Sequence, residues 1–275
     1  MCKPKEPHHF GSDLPLPFKP YADLQKYLRL FDAAGNRQAG EASVHYLYSR
    51  TAPHEILAVS PGARVIIMLR DPVEMVCSLH AHLLWGGYED LPDLEQALAA
   101  EEDRRQGHRI PRLCVAPLML QYTFVGRYAE HVRRYLELFG RERVKCVLFE
   151  DLTDQPERTY RETLVFLGLE PAGSPAFKPH NAQLQWRSRR IASVVLPALY
   201  SARRMSILAT KGFLGRSTRT LVHLLFYLPM RLNLTKGNLP YVSPELKQRL
   251  RGLFRDDVEE LAGLLGRDLS SWQRP

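Results

Sequence analysis

Apolar residues along the chain follow two periods. Val65 to Leu69 is an unbroken apolar run, partly β-branched, and it ends at Arg70-Asp71-Pro72. Such a run is too short for a free-standing helix, and its turn boundary predicts a strand buried on both faces of a parallel sheet. Arg70 then falls at the carboxyl end of the strand. Asp71 is a good N-cap, Pro72 suits the first helical position, and Glu74 stands where a capping-box acid reaches back. The following helix carries Ser78, His80, His82 and Trp85 and ends near Gly86-Gly87. The segment reads as strand, tight turn and helix, with an arginine at the turn.

Helical periodicity marks most of the remaining elements. Tyr21–Phe31 places Leu24, Tyr27, Leu28 and Phe31 on one face, with Gly35 as its stop. Pro53–Val59 predicts a short helix. Leu91–Gln106 predicts an acidic helix with Leu94 and Leu98 inward and Glu101 to Arg105 as a solvated surface end. Tyr122–Phe139 is strongly amphipathic, with Tyr128, Val132, Tyr135, Leu136 and Phe139 as its stripe and Gly140 as its stop. A second strand follows at Val144–Phe149, closed by Glu150-Asp151-Leu152. Then comes a helix over Gln155–Leu167, ended by Gly168. Ser243-Pro244-Glu245 opens a last helix, Gly266 ends it, and Trp272 is expected to fold back onto the core. Strands alternating with helices imply a parallel sheet with right-handed crossovers.

Charge adds one feature to this pattern. The chain has 275 residues and a formal net charge of +8, which favours anionic partners. Between Pro171 and Pro244 there is no Asp or Glu but there are eleven Lys or Arg. Without those eleven, the 38 basic residues fall to 27, against 30 acidic ones. The positive field therefore belongs to one region. The tract Ile191–Leu234 reads as helical, apolar and basic, either a lid or a surface for an anionic membrane. No nucleic-acid-binding motif accompanies it, so nucleic acid is not expected as a partner. Cys2, Cys77, Cys114 and Cys146 show no paired spacing, which suggests reduced thiols and a cytoplasmic protein. His8 and His9 have no third ligand at helical spacing, so no metal site is expected.

Open α/β sheets bind ligands at the carboxyl ends of their strands, and helix N-termini favour anions. Ser78 lies two turns into its helix on the face that carries Asp71, Glu74 and Met75, so Arg70 and Ser78 together would hold one phosphate. This Arg-Asp-Pro turn with its helix serine resembles the 3′-phosphate-binding element of the PAPS-dependent sulfotransferases. The Glu150-Asp151-Leu152 turn and Phe166-Leu167-Gly168-Leu169 resemble that family's second fingerprint. Lys5-Glu6-Pro7-His8-His9-Phe10 is similar to its Lys-Glu-Pro-His-Phe-Phe segment. Gly40-Glu41-Ala42-Ser43-Val44-His45-Tyr46 is similar to its substrate-side segment, with Ala42 where heparan-type enzymes carry lysine.

The resemblance implies an α/β, P-loop-NTPase-like three-layer fold with a central parallel sheet flanked by helices. It also implies one domain: a core over 1–185, a basic helical lid over 186–242 and a C-terminal helix over 243–275. The family's Lys/Arg-x-Gly-Thr-Thr turn is not in this sequence. Gly212 to Ser217 is the nearest string and has no lysine. The first βα unit is therefore expected to be missing, with one sheet neighbour exposed and turnover reduced. The implied activity is sulfuryl transfer from 3′-phosphoadenylyl sulfate (PAPS) to a hydroxyl of a small molecule or glycan. The alternative is a non-catalytic relative that binds nucleotide phosphate or anionic membrane. The implied site has Glu6 as base, Arg70, Ser78, Arg187 and Arg189 on the cofactor, and His8, Glu41 and Tyr46 on the acceptor. Glu41 would instead cap the short helix that follows it if it plays no part in the site.

Overall fold

The computed structural model describes residues 5–16, 19–170 and 240–274, together with residues 173, 177 and 196 and two short strands at 184–186 and 234–236. In chain order, α1 (Leu24–Leu28) continues as a 3₁₀ turn to Ala34, and a second 3₁₀ helix spans Val44–Tyr48. Next come α2 (Ala52–Val59), β1 (Val65–Leu69) and α3 (Pro72–Gly86). They are followed by α4 (Leu94–Ala99), α5 (Glu101–Arg105), α6 (Tyr122–Gly126) and α7 (Ala129–Phe139). Then β2 (Val144–Leu148) leads to α8 (Phe149–Asp154), α9 (Pro156–Leu167), β3 (Leu184–Trp186), β4 (Leu234–Lys236) and α10 (Pro244–Leu265).

The chain falls into two compact units. The first comprises residues 1–76, 115–177 and 243–275, and the second 77–114 and 178–242. In the first unit β1 and β2 pair in parallel, from Val65 opposite Val144 to Leu69 opposite Leu148. Contrary to the expectation from the apolar run, β1 is buried on one face only. Ile67 and Leu69 are 5% and 2% exposed, whereas Ile66 and Met68 are 39% and 58% exposed. Successive strand side chains point to opposite faces, and the face that Ile66 and Met68 share is the more open one. The stripe on Tyr21–Phe31 is likewise only partly used: Tyr27 is buried, but Leu24 and Leu28 are open to solvent.

The core of this unit is built on α7 and α10. Val132, Tyr135 and Phe139 of α7 are buried, as are Leu250, Phe254 and Leu261 of α10. Gly126 makes room for this packing, because a Cβ there would lie 2.5 Å from the Phe254 ring. The single helix expected over Tyr122–Phe139 is broken between α6 and α7. Asp257 explains the restart: its carboxylate accepts the backbone N–H of Tyr128 at 2.7 Å and of Ala129 at 3.2 Å. A side chain of α10 thus caps α7 from 128 residues away in sequence.

The C-terminal segment is fastened by the Glu-Asp-Leu turn, which folds as α8. Glu150 accepts the indole N–H of Trp272 at 3.0 Å, and Asp151 takes both ends of the Arg267 guanidinium at 2.8 and 3.0 Å. Trp272 is buried, as the sequence predicts. Ser243 caps α10 by accepting the Leu246 N–H.

In the second unit, the helix expected over Leu91–Gln106 breaks at Ala100 into α4 and α5. Its charged end is solvated only in part: Glu102 and Arg105 are exposed, but Arg104 is buried and makes a two-pronged ion pair with the buried Glu89, at 2.7 and 2.8 Å. β3 and β4 pair antiparallel, so Leu234 opens a strand instead of closing the helical tract expected there. Arg187, Arg189 and most of the tract between 186 and 242, including Gly212 to Ser217, lie outside the described residues.

Candidate functional site

The sequence around Arg70 folds locally as its capping residues require. The Asp71 carboxylate accepts the N–H groups of Val73 at 2.8 Å and Glu74 at 3.3 Å. Burial raises the pKa of Asp71 despite these two donors. Because Asp71 already takes those helix amides, an anion at this turn is left to side chains. Arg70 supplies one. Its guanidinium lies over the Phe149 ring, 4.9 Å from the centroid, and 3.7 Å from Glu74. About a third of the side chain is exposed, which leaves donors for a ligand.

Glu74 does not reach back to complete a capping box. Its other oxygen meets Lys247 of α10 at 2.7 Å, so one carboxylate bridges two cations. Any anion that binds Arg70 would have to compete with that carboxylate. Ser78 is half-buried on α3, the helix that this turn opens.

A second constellation gathers Glu6, His8, Glu41 and Tyr46, all singled out from the sequence, from two separate segments. Glu6 and His8 flank the buried Pro7, and both take left-handed backbone angles, φ +56° and +49°. That conformation is costly for non-glycine residues, roughly 1–3 kcal/mol each, and a residue before proline is further disfavoured from leaving extended geometry. Strain of this kind needs anchors. The His8 N–H donates to Ser43 Oγ at 3.2 Å, and the Phe10 N–H to the Tyr46 hydroxyl at 3.1 Å. Ser43 in turn donates to Glu41 at 2.7 Å, and the Tyr27 hydroxyl donates to the same carboxylate at 3.2 Å. Glu41 therefore supports the strained segment rather than capping the next helix. Tyr46 is in the core, where burial drives its hydroxyl pKa well up, so it acts as a neutral clamp.

The chemistry concentrates on Glu6. Its carboxylate is about one-third exposed and lies 3.5 Å from His8 Nε2. The hydrogen bond with His8 is the main reason that its pKa sits below the usual glutamate value, with burial opposing. Glu6 is thus ionised at neutral pH and able to accept a proton. His45, which sequence reasoning passed over, stacks on His8 with ring centroids 4.9 Å apart and planes 17° apart. Burial, helped by His8, brings its pKa down to about 4. No periodicity marks position 45, so only the fold reveals it. His9 turns away, its Nδ1–H donating to the Tyr21 carbonyl and its ring stacking on Tyr27.

Among the described residues no group of three His, Cys, Asp or Glu converges as a metal site, and no helix is long and apolar enough to cross a membrane.

Comparison with known proteins bears on this geometry. The family model described as the Sulfotransferase domain matches residues 18–185, which include Glu41, Tyr46, Arg70 and Ser78. The chain is similar to a crystal structure of a sulfotransferase from Alicyclobacillus acidocaldarius, at 28% identity and a TM-score of 0.67, over 98% of this chain and 87% of that one. It is also 28% identical, over 158 residues, to the bifunctional heparan sulfate N-deacetylase/N-sulfotransferase 4 of Mus musculus. That match takes in 54% of this chain but only 17% of the mouse protein.

Proposed function

This chain belongs to the sulfotransferase domain family, and we propose that it transfers a sulfuryl group from PAPS to a hydroxyl of a small molecule or glycan. The observation that carries the proposal is Glu6, an ionised carboxylate held in a strained loop against His8. PAPS supplies the sulfuryl group. In the transfer, a bond forms between sulfur and the acceptor oxygen, the bond from sulfur to the phosphate oxygen breaks, and Glu6 takes the acceptor proton. Arg70 and Ser78 hold the 3′-phosphate. The donor chemistry fits: a guanidinium one-third exposed on an aromatic face suits a dianion better than a neutral hydroxyl. Catalysis is then mainly positioning and charge stabilisation of an in-line displacement.

Arg187 and Arg189 belong to the same proposal as closers over the adenosine, and residues 186–242 as a lid on a single domain. The glycan side of the acceptor class takes support from the heparan sulfate enzyme named above. Ala42, in the position of a lysine common to heparan-type enzymes, argues for an acceptor other than heparan. Without a Lys/Arg-x-Gly-Thr-Thr turn to grip the phosphosulfate, turnover is expected to be low.

The test is a radiolabelled-sulfate transfer assay over a panel of neutral sugars, glycosaminoglycans and small phenols or alcohols. Transfer to at least one acceptor, abolished by Glu6→Gln, is the expected result. Transfer that survives Glu6→Gln removes Glu6 from the chemistry.

A further inference from the structure

His45 has no part in the roles assigned above, and its surroundings do not explain it as packing. Its Nδ1 is buried and lacks a hydrogen-bond partner, which a phenyl ring would avoid. It lines a small cavity whose other walls, Leu14, Pro15, Leu16, Ala116, Leu118 and Met119, are all apolar. What it does touch is His8. The His8 backbone is pinned through its N–H to Ser43, but its ring is not. Nδ1 of His8 is also buried without a partner, and the ring's polar contact is Nε2 on Glu6 at 3.5 Å. An imidazole turns readily about its last torsion unless something fixes it. The flat face of His45 and the edge of Tyr46, 6.5 Å away, are the surfaces that fix this one.

We propose that His45 is a positioning residue for Glu6: its ring backs the His8 imidazole and keeps His8 Nε2 turned to the Glu6 carboxylate. The inference rests on reading Glu6 as the acceptor base. The charges are consistent with it. Glu6 faces the pair from the N-terminal segment with the exposed Lys5 4.0 Å from its carboxylate, and Glu41 stands on the segment of His45 itself, tied to Ser43 and Tyr27. The rings stack at 4.9 Å, where a charge on His45 would be unfavourable beside His8. Burial holds His45 neutral down to about pH 4, so it offers His8, the ring that meets the carboxylate, an uncharged face.

The experiment compares the full chain with His45→Phe, which keeps a flat ring, and with His45→Ala and His45→Leu, which do not. Leu fills the space if Ala does not fold. Two readouts are taken on folded protein: a carbon-13 NMR titration of the Glu6 carboxyl, and the pH profile of kcat/KM for sulfuryl transfer. Loss of the ring should raise the Glu6 midpoint toward the ordinary glutamate value, move the acid limb of kcat/KM up with it, and lower kcat at least tenfold. His45→Phe should restore most of the turnover and the low midpoint. A Glu6 midpoint and kcat unmoved in His45→Leu overturn the inference. A wild-type chain that transfers no sulfuryl group, yet whose Glu6 midpoint moves in His45→Leu, supports the positioning role and refutes the acceptor-base reading instead.

Discussion

The two parts of the candidate site are built in opposite ways. The Arg70 turn is one unbroken stretch in which each residue does what its type does best: an apolar strand, an aspartate cap, a proline at the first helical position. The Glu6 cluster is assembled from segments about 35 residues apart, and two of its residues sit in backbone conformations that their types avoid. A phosphate anchor needs a charge at a helix start, which local sequence supplies cheaply. A proton acceptor needs an exposed carboxylate with a fixed neighbour, and here that arrangement requires strain held by remote hydrogen bonds. Anchor and base should therefore fail separately and by different amounts.

The largest separation should come from Glu6→Gln. Loss of a general base typically costs 10²- to 10⁴-fold in rate, and calorimetric affinity for adenosine 3′,5′-bisphosphate should stay within twofold of wild type. If affinity falls with turnover, the two regions are not independent.

Acid should strike the Glu6 cluster next. The folded pKa of His45, about 4, lies below the ordinary histidine value of 6.5. The unfolded chain therefore binds the extra proton between those values. Folding stability is unaffected above about pH 6.5, declines as pH falls, and has lost its full share below pH 4. At 1.36 kcal/mol per unit, the share is at most about 3 kcal/mol. His80 and His131, whose pKa values burial also lowers, add in the same direction. Urea unfolding at pH 7 and pH 4.5 should show a smaller pH-dependent loss in His45→Phe than in wild type. Equal losses would mean that His45 is not the buried, neutral group described.

Arg70→Ala should do the reverse of Glu6→Gln. Removing a charge-assisted contact weakens bisphosphate binding by roughly 1.5–3 kcal/mol, about 10- to 150-fold. The Glu6 carboxyl titration should not move.

The smallest effect tests the frame common to both. Asp257→Ala strips the cap from Tyr128 and Ala129 and should lower stability by about 1–2 kcal/mol in urea titrations. Per-site affinities should be unchanged. A loss under 0.5 kcal/mol would show that water replaces the carboxylate as the cap.

Legibility in the sequence follows the same divide. β1, α3, its Asp71 cap, α10 with its Ser243 cap and the inward turn of Trp272 were readable, because each rests on contiguous residues or on a long apolar period. The break between α6 and α7 was not, since its cause is Asp257, over a hundred residues downstream. Arg104 looks like one more charge in an acidic run, and nothing in its neighbourhood announces Glu89 as a buried partner. The apolar run of β1 suggested cover on both faces, but apolar composition alone does not say what lies above Ile66 and Met68. Within the site, Glu6, His8, Glu41 and Tyr46 were found through resemblance to a family. His45 was not, because stacking of two rings from separate segments leaves no mark on spacing.

The donor half of the proposed transfer is the part that a binding measurement reads most directly: a calorimetric titration with adenosine 3′,5′-bisphosphate, run beside AMP on wild type and Arg70→Ala, tests it. The prediction is wild-type binding at least tenfold tighter for the bisphosphate than for AMP, with Arg70→Ala erasing that preference. Equal affinity for the two nucleotides, or a preference that survives Arg70→Ala, would contradict the assignment of Arg70 to the 3′-phosphate.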